Sequence, residues 1–238
     1  MRRAFSVFAL VGVVGIAVLL PAQTVDPRTA AGQLAVCGGA AAWQGIGFLE
    51  FQVVIDGPLG AQGPYLYRWD RRYGFFRLTG TGPDGEGVDL ALDIGSGTGG
   101  GWQGKNQLSG LALEKAVKWA LQRFREDVLW LTFPLDWGSP GVTVEPVADV
   151  TDPTGTTFQA TRIGSPIGTW LVDLDRGSGR IVHTVLQRSA TDKLSVTWSD
   201  WRVFGGVLFA GRRVIAETGE TVTVEVRRAL AESPSDAF

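Results

Sequence analysis

The sequence predicts a mainly β protein with a helical lid. A curved antiparallel sheet packs on one main helix, with a second helix near the N-terminus. Three observations carry that expectation. First, residues 160–228 divide into successive segments in which apolar and polar residues alternate, as in Val222, Val224 and Val226 against Thr221, Thr223 and Glu225. Alternation with period two marks a strand with one buried face. Second, the connections between these segments are short and rich in turn residues, such as Asp175-Arg176-Gly177-Ser178-Gly179, Gly205-Gly206 and Thr218-Gly219-Glu220. Connections of this length join antiparallel neighbours and cannot hold crossover helices. Third, residues 111–125 carry the strongest helical stripe, formed by Leu113, Val117, Ala120 and Phe124.

In chain order, residues 31–44 read as an alanine-rich helix interrupted at Gly38-Gly39. Residues 47–56 alternate as a strand, 65–71 and 75–81 form a hairpin about Tyr73-Gly74, and 87–94 continue the sheet. Residues 95–104 are glycine-rich and read as a loop. The main helix follows Ser109, a candidate N-cap. It carries Glu114 four residues before Lys118, the favourable order for an exposed pair. Residues 126–131 extend it or add a further turn. Phe133-Pro134-Leu135 then ends it, because proline has no N–H to continue the ladder. Residues 136–154 read as a loop with a short strand at 142–147. Residues 157–163 open the final meander, whose strands follow at 167–174, 180–188, 193–203, 207–217 and 221–228. The tail, residues 231–238, reads as disordered.

The chain has 238 residues and a formal net charge of -2, with no break in composition. It reads as one domain over residues 23–230, behind a targeting segment. Met1-Arg2-Arg3 and the apolar run from Ala4 to Leu20 form a signal peptide, residues 1–22, with a cleavage region at Pro21-Ala22-Gln23. The alternative is an uncleaved anchor in the inner membrane, since about 17 apolar residues is the lower limit for a span. Either route exports the folded part, so the expected location is periplasmic. Near-neutral charge argues against nucleic acid, whose binding rests on many Lys/Arg–phosphate contacts. Cys37 is the only cysteine, which leaves no intramolecular disulfide and suits a small buried residue on the first helix.

Several motifs match chemistry in letters only. Gly95-x-Gly97-x-x-Gly100 and Gly99-x-x-x-x-Gly104-Lys105 resemble dinucleotide and phosphate loops. Both loops need a strand–loop–helix unit, and the second needs Ser or Thr where Asn106 stands. They read as a flexible turn, with no nucleotide as partner. Asp173-x-Asp175-x-Gly177 resembles the start of a calcium loop, but Gly177 and Thr184 stand at ligand positions, so it reads as a hairpin turn. One cysteine and one histidine cannot supply a zinc cluster. No metal and no cofactor is expected. His183 lies in mid-strand with no nucleophile-elbow motif. The chain therefore reads as a non-enzyme, and an exported hydrolase resting on His183 is the third reading.

Large apolar residues exceed what hairpins need. Trp69, Phe76, Trp119, Phe124, Leu131, Phe133, Trp170 and Trp198 are the candidate ligand-binding residues. They are either a thick core or the lining of an apolar groove between sheet and helix, the default kind of ligand site.

A series of features adds a resemblance. Gly38-Gly39 and Trp43 close the first helix. Arg68-Trp69-Asp70 and Phe76-Arg77 mark the first hairpin, and Gly101-Trp102 follows. Trp130-Leu131-Thr132-Phe133-Pro134-Leu135 ends the main helix. Trp170-Leu171-Val172-Asp173, Gly179-Arg180-Ile181, Val196-Thr197-Trp198-Ser199-Asp200-Trp201-Arg202, Gly205-Gly206 and Phe209-Ala210 punctuate the meander. In this order, over residues 36–228, the chain resembles the outer-membrane lipoprotein-sorting proteins, the LolA/LolB-like periplasmic half-barrel carriers. The resemblance implies an incomplete, half-open β-barrel of about eleven strands with helices plugging the open side. It also implies an apolar concave face that accepts the acyl chains of a lipoprotein or another lipid, without chemistry. Inner- or outer-membrane transport proteins would be further partners. The family's carriers use an arginine to govern the lid, for which Arg68, Arg77 and Arg125 are the available residues. The alternative function is a non-catalytic envelope interaction module of the same fold with a filled cavity.

Overall fold

The computed structural model describes residues 25–238. The expected signal peptide, residues 1–22, lies outside them. Helices α1 (Ala30–Val36) and α2 (Ala40–Gly45) lead into a first meander. Its strands are β1 (Phe48–Asp56), β2 (Gln62–Asp70), β3 (Phe75–Thr81), β4 (Gly87–Asp93), β5 (Thr98–Gln103) and the two-residue β6 (Asn106–Gln107). Helix α3 (Gly110–Thr132) and a 3-10 turn (Phe133–Leu135) connect to a second meander. This comprises β7 (Thr143–Thr151), β8 (Thr157–Ser165), β9 (Gly168–Leu174), β10 (Ile181–Gln187), β11 (Lys193–Phe204), β12 (Val207–Ile215) and β13 (Thr221–Leu230).

All thirteen strands form one antiparallel sheet in the order β6-β5-β4-β3-β2-β1-β13-β12-β11-β10-β9-β8-β7. The sheet curves but does not close, so it is a half-open barrel of thirteen strands where about eleven were expected. Each meander grows outward by hairpins from a central seam, where β1 pairs with β13 from Phe48↔Leu230 to Asp56↔Thr221. Alternation sets the faces. Val88, Leu90 and Leu92 of β4 and Val222, Val224 and Val226 of β13 turn inward and join one core on the concave side. Most charged strand residues take the convex side, where Glu50 receives Arg228 at 2.6 Å and Arg68 at 3.0 Å, and Arg77 grips Asp89.

Helix α3 spans the concave side for about 35 Å, at about 1.5 Å per residue. Its buried stripe of Val117, Ala120, Leu121, Phe124, Asp127 and Leu131 faces the sheet. Residues 126–131 extend the helix. Ser109 takes the N-cap position without a side-chain hydrogen bond. The N-terminal helices are held differently. The Thr29 side chain accepts the Gly32 N–H at 3.0 Å, and the break at Gly38-Gly39 brings the chain against the Gly205-Gly206 turn. A Cβ on Gly38 would lie 2.1 Å from the Gly206 carbonyl oxygen, so only glycine permits this approach. The fully buried Cys37 receives the Leu208 N–H on its carbonyl at 3.0 Å. Burial pushes its thiol up to about 12. Among the described residues no helix is long and apolar enough to cross a membrane.

Three stretches differ from expectation. Residues 95–104 are not a loop: a four-residue turn carries the chain into β5, which pairs with β4 along its whole length, from Asp93↔Thr98 to Val88↔Gln103. Glycines have no side chains to alternate, so this strand left no period-two signal. Strand β7 runs to Thr151, past the expected end at residue 147. The tail, expected to be disordered, lies back over the convex side. Ser233 donates to the Asp70 carboxylate, Asp236 meets Arg228 at 3.5 Å, and Ala237 is fully buried.

Candidate functional site

The concave face has two parts, and the predicted residues divide between them. In the first meander, the Phe124 ring stacks on Phe76 with centroids 4.1 Å apart and meets Trp69 edge-on at 5.4 Å. Trp119 stands edge-on to Tyr65 at 6.2 Å. In the second meander, Phe133 lies 4.6 Å from Trp170 and 5.6 Å from Trp198, under the end of α3 where Leu131 is also buried. The Trp198 indole donates to the buried Thr184 hydroxyl at 3.0 Å, which satisfies its N–H inside the core. Six of the eight residues thus pack in two ring clusters, one about Phe124 and one about Phe133, while Trp119 pairs with Tyr65 and Leu131 is buried at the end of α3. Phe76 and Trp119 also border cavities.

The open space lies beside the first half of α3. A cavity of about 420 Å³ separates Leu113, Val117 and Leu121 from Gly97, Thr98 and Gly99, with Glu114 and Lys118 at its rim. A second, of about 250 Å³, lies on the other flank of the helix between Ala116, Trp119, Val88 and Gln103. The glycines explain the gap: Gly99 and Gly101, which share the concave face of β5 with Gln103, offer no side chain to meet the helix. The sequence stripe contained Leu113 and Val117 but gave no sign that they overhang a cleft, because the strand opposite was unreadable. A third cavity, of about 560 Å³, lies on the convex side between Phe75, Ala91, Asp93 and the tail residue Phe238. It shares Thr98 and Gly99 with the first.

Two fully buried charged side chains, Asp127 and Arg213, sit in this interior. Asp127, fully buried on the α3 stripe, accepts the Tyr67 hydroxyl at 2.6 Å and the Arg123 guanidinium through Nε at 3.0 Å and through Nη2. Burial pushes its carboxyl above the usual carboxylate range, against the pull of Arg123 and Tyr67. Arg213, on β12, is also fully buried. It donates to the Trp130 carbonyl and lies 4.9 Å from the Trp198 ring. In α3 that carbonyl would normally receive the amide four residues on, which is Pro134 and has no N–H. The arginine takes the amide's place. Its Nε and Nη1 meet no acceptor among the described residues, and burial lowers its affinity for the proton. Both groups were legible: Asp127 falls three residues after Phe124 on the stripe, and Arg213 has the inward parity of Phe209 and Ile215.

The arginines suggested by the family resemblance lie elsewhere. Arg68 and Arg77 pair with Glu50 and Asp89 on the convex face, and Arg125 is exposed on α3. The arginines that hold helix-end carbonyls are Arg213 and Arg71. Arg71 donates to Trp43 and Ile46 at 2.8 and 2.5 Å, with its guanidinium 3.4 Å from the Trp43 ring centre.

His183 stands on the convex face between neighbours on the adjacent strands. Its Nδ1 lies 3.1 Å from Asp173 Oδ2, and its Nε2 lies 2.7 Å from Ser195 Oγ. The order Ser–His–Asp is that of an acyl-transfer triad. Its surroundings oppose the chemistry. The Ser195 amide donates to both oxygens of Glu217, at 2.9 and 2.8 Å. A carboxylate therefore stands where donors would have to meet a developing oxyanion. Accordingly, hydrolysis of p-nitrophenyl acetate should be no faster with the native chain than with His183→Ala; a difference of about tenfold or more would establish a catalytic site. The other motifs resolve as turns. Residues 95–105 belong to an antiparallel hairpin and its edge, and Asp175 accepts the Ser178 amide and hydroxyl at 2.7 and 2.6 Å within a hairpin turn.

No family model matches the chain, and no curated protein does. Among solved structures, the chain is similar in fold to a domain from Vibrio parahaemolyticus described as an outer membrane lipoprotein-sorting protein. The two share 10% identity over 82% of this chain and 88% of that one, with a TM-score of 0.42. It is also similar to the Mycobacterium tuberculosis lipoprotein LppX, at 11% identity over 90% of this chain and 100% of that one, with a TM-score of 0.35. At these scores neither likeness carries a residue's role to this chain.

Proposed function

We propose that the protein is a carrier or binder of acyl chains, from a lipoprotein or another lipid, and that it holds them without chemical change. The supporting observation is the cleft of about 420 Å³ between Leu113, Val117 and Leu121 of α3 and the segment Gly97-Thr98-Gly99. Its size falls within the ~300–1,000 Å³ of small-molecule sites. Each buried CH₂ contributes about 0.8 kcal/mol, so a saturated chain of about sixteen carbons gains about 13 kcal/mol before ordering costs. Trp119, on the opposite flank of the helix, is the predicted ligand residue best placed to report occupancy by its fluorescence. The site of action in this reading is the envelope, reached by export through residues 1–22. Lipoprotein sorting, the task for which the Vibrio domain is named, is the matching class in this reading, with membrane transport proteins as partners.

A second reading has its own observation. The rings of Trp130, Phe133, Trp170 and Trp198 already fill the concave face under the second half of α3. An interaction module with a self-filled interior would look like this throughout. Titration with a fluorescent fatty acid and competition by palmitate separates the two. The carrier takes up one probe per chain, and Val117→Trp, whose ring would occupy the cleft, weakens uptake about tenfold or more with little change in melting temperature. Absence of saturable uptake by the native chain favours the filled module. Uptake that Val117→Trp leaves intact places the ligand outside the cleft.

A further inference from the structure

One edge of the sheet is guarded and the other is not. Along β7, Pro146 removes an N–H, while Glu145 and Asp149 set charge on the strand. Proline and charge are common protections of an exposed edge. At the opposite end, β6 covers only Trp102 and Gln103 of β5. The Leu108 amide covers the Gly101 carbonyl at 2.9 Å. Residues 98–100 pair with β4 on one side and, among the described residues, with no strand on the other. Gly101 turns its carbonyl outward, so Gly99, two residues earlier, turns both its N–H and its C=O outward as well. No charge, proline or Cβ shields them.

Two apolar cavities flank this bare stretch from opposite faces of the sheet and meet at Thr98 and Gly99. On the convex side lie Phe75, Ala91 and Phe238; on the concave side lie Leu113, Val117 and Leu121. We infer that an extended segment of a partner polypeptide adds to the sheet along residues 98–101. Its backbone pairs with Gly99, and two successive apolar side chains enter the convex and the concave cavity. A free edge supplies main-chain hydrogen bonds, and pockets on alternate faces read the side chains. Two copies of this chain joined here would set glycine beside glycine and leave both cavities unfilled, so a different chain is the better fit. The concave cavity is the cleft assigned above to an acyl chain. The inference rests on that reading only in that the two occupants would exclude each other there.

The test is selection of a displayed library of random heptapeptides on the full chain, with Gly100→Lys as counter-selection. A Cβ on Gly100 meets no heavy atom within 4 Å, so lysine fits the fold while charging the edge. The expected peptides carry adjacent apolar residues, and a synthetic copy binds the native chain about tenfold tighter than Gly100→Lys. N-methylation at residues of one parity abolishes binding, and at the other parity it does not. The inference is overturned if no sequence is enriched against the counter-selection or if both parities respond alike. It is also overturned if the native chain forms a dimer that Gly100→Lys dissolves. Acyl-probe uptake is read separately, so failure of either proposal leaves the other's result standing.

Discussion

Replacing Asp127 with alanine is expected to lower stability by about 3–5 kcal/mol, the usual cost of removing one partner of a buried ion pair. Asp127 is fully buried, and it is the acceptor for both the Tyr67 hydroxyl and the Arg123 guanidinium. Its loss strands a phenol and a cation against apolar rings. Only Glu126, at 3.5 Å and partly in solvent, is left to face Arg123. The pair itself adds little beyond an apolar substitute, because burial already works against the carboxylate. The double variant Asp127→Leu with Arg123→Leu should therefore recover much of the loss. Urea denaturation of Asp127→Leu, Arg123→Leu and the double variant gives the coupling. A single-variant loss under about 1 kcal/mol, the range of exposed pairs, would mean that water reaches this group.

Phe124→Ala should cost a similar amount, about 3–5 kcal/mol, for a different reason. Its ring is the hub of the first cluster, stacked on Phe76 and meeting both Tyr67 and Trp69. Deleting it removes buried area and leaves a void that three stiff rings cannot collapse to fill. Phe124→Leu keeps most of the volume and should lose less than about 1.5 kcal/mol. Thermal unfolding of both variants measures the difference. Equal losses would show that the ring's stacking, rather than its volume, holds the helix to the sheet.

The parts of the fold legible in the sequence are those in which side chains alternate against a buried face. Strands β9 to β13 and β1 to β4 were readable because valine, leucine and aromatic residues fall at every second position. Helix α3 was readable from its stripe. What stayed hidden had no side-chain pattern. Half of strand β5 is glycine, in the run Gly99–Gly101, so its pairing follows from the hairpin with β4 and not from any alternation of its own residues. The tail carries few apolar residues, and its docking depends on Asp70 and Arg228, distant in sequence. The pairing of β1 with β13 joins residues about as far apart as the described chain allows, and no local signal reports it. The same limit applied to the cleft. The greasy residues could be named, but whether they touch one another or stand back depended on the glycines opposite. The inward parity of Arg213 and the stripe position of Asp127 were available signals that a count of aromatic residues passes over.

The seam between β1 and β13 also bears on how the protein assembles. Every other ladder joins strands that are neighbours in sequence and can close as soon as its hairpin is made. This one must bring Phe48 to Leu230. The entropy of closing a loop rises only with the logarithm of its length, so the cost is modest in free energy; the delay is in time, since the seam cannot zip until the last strand exists. Two half-sheets, each with one raw flank, would therefore coexist on a nascent chain, tethered by α3. Their raw flanks carry the inward valines of β1 and β13, the segments most prone to wrong partners before closure. A holding factor that masks either flank until synthesis ends would act on the one step that locality cannot hasten.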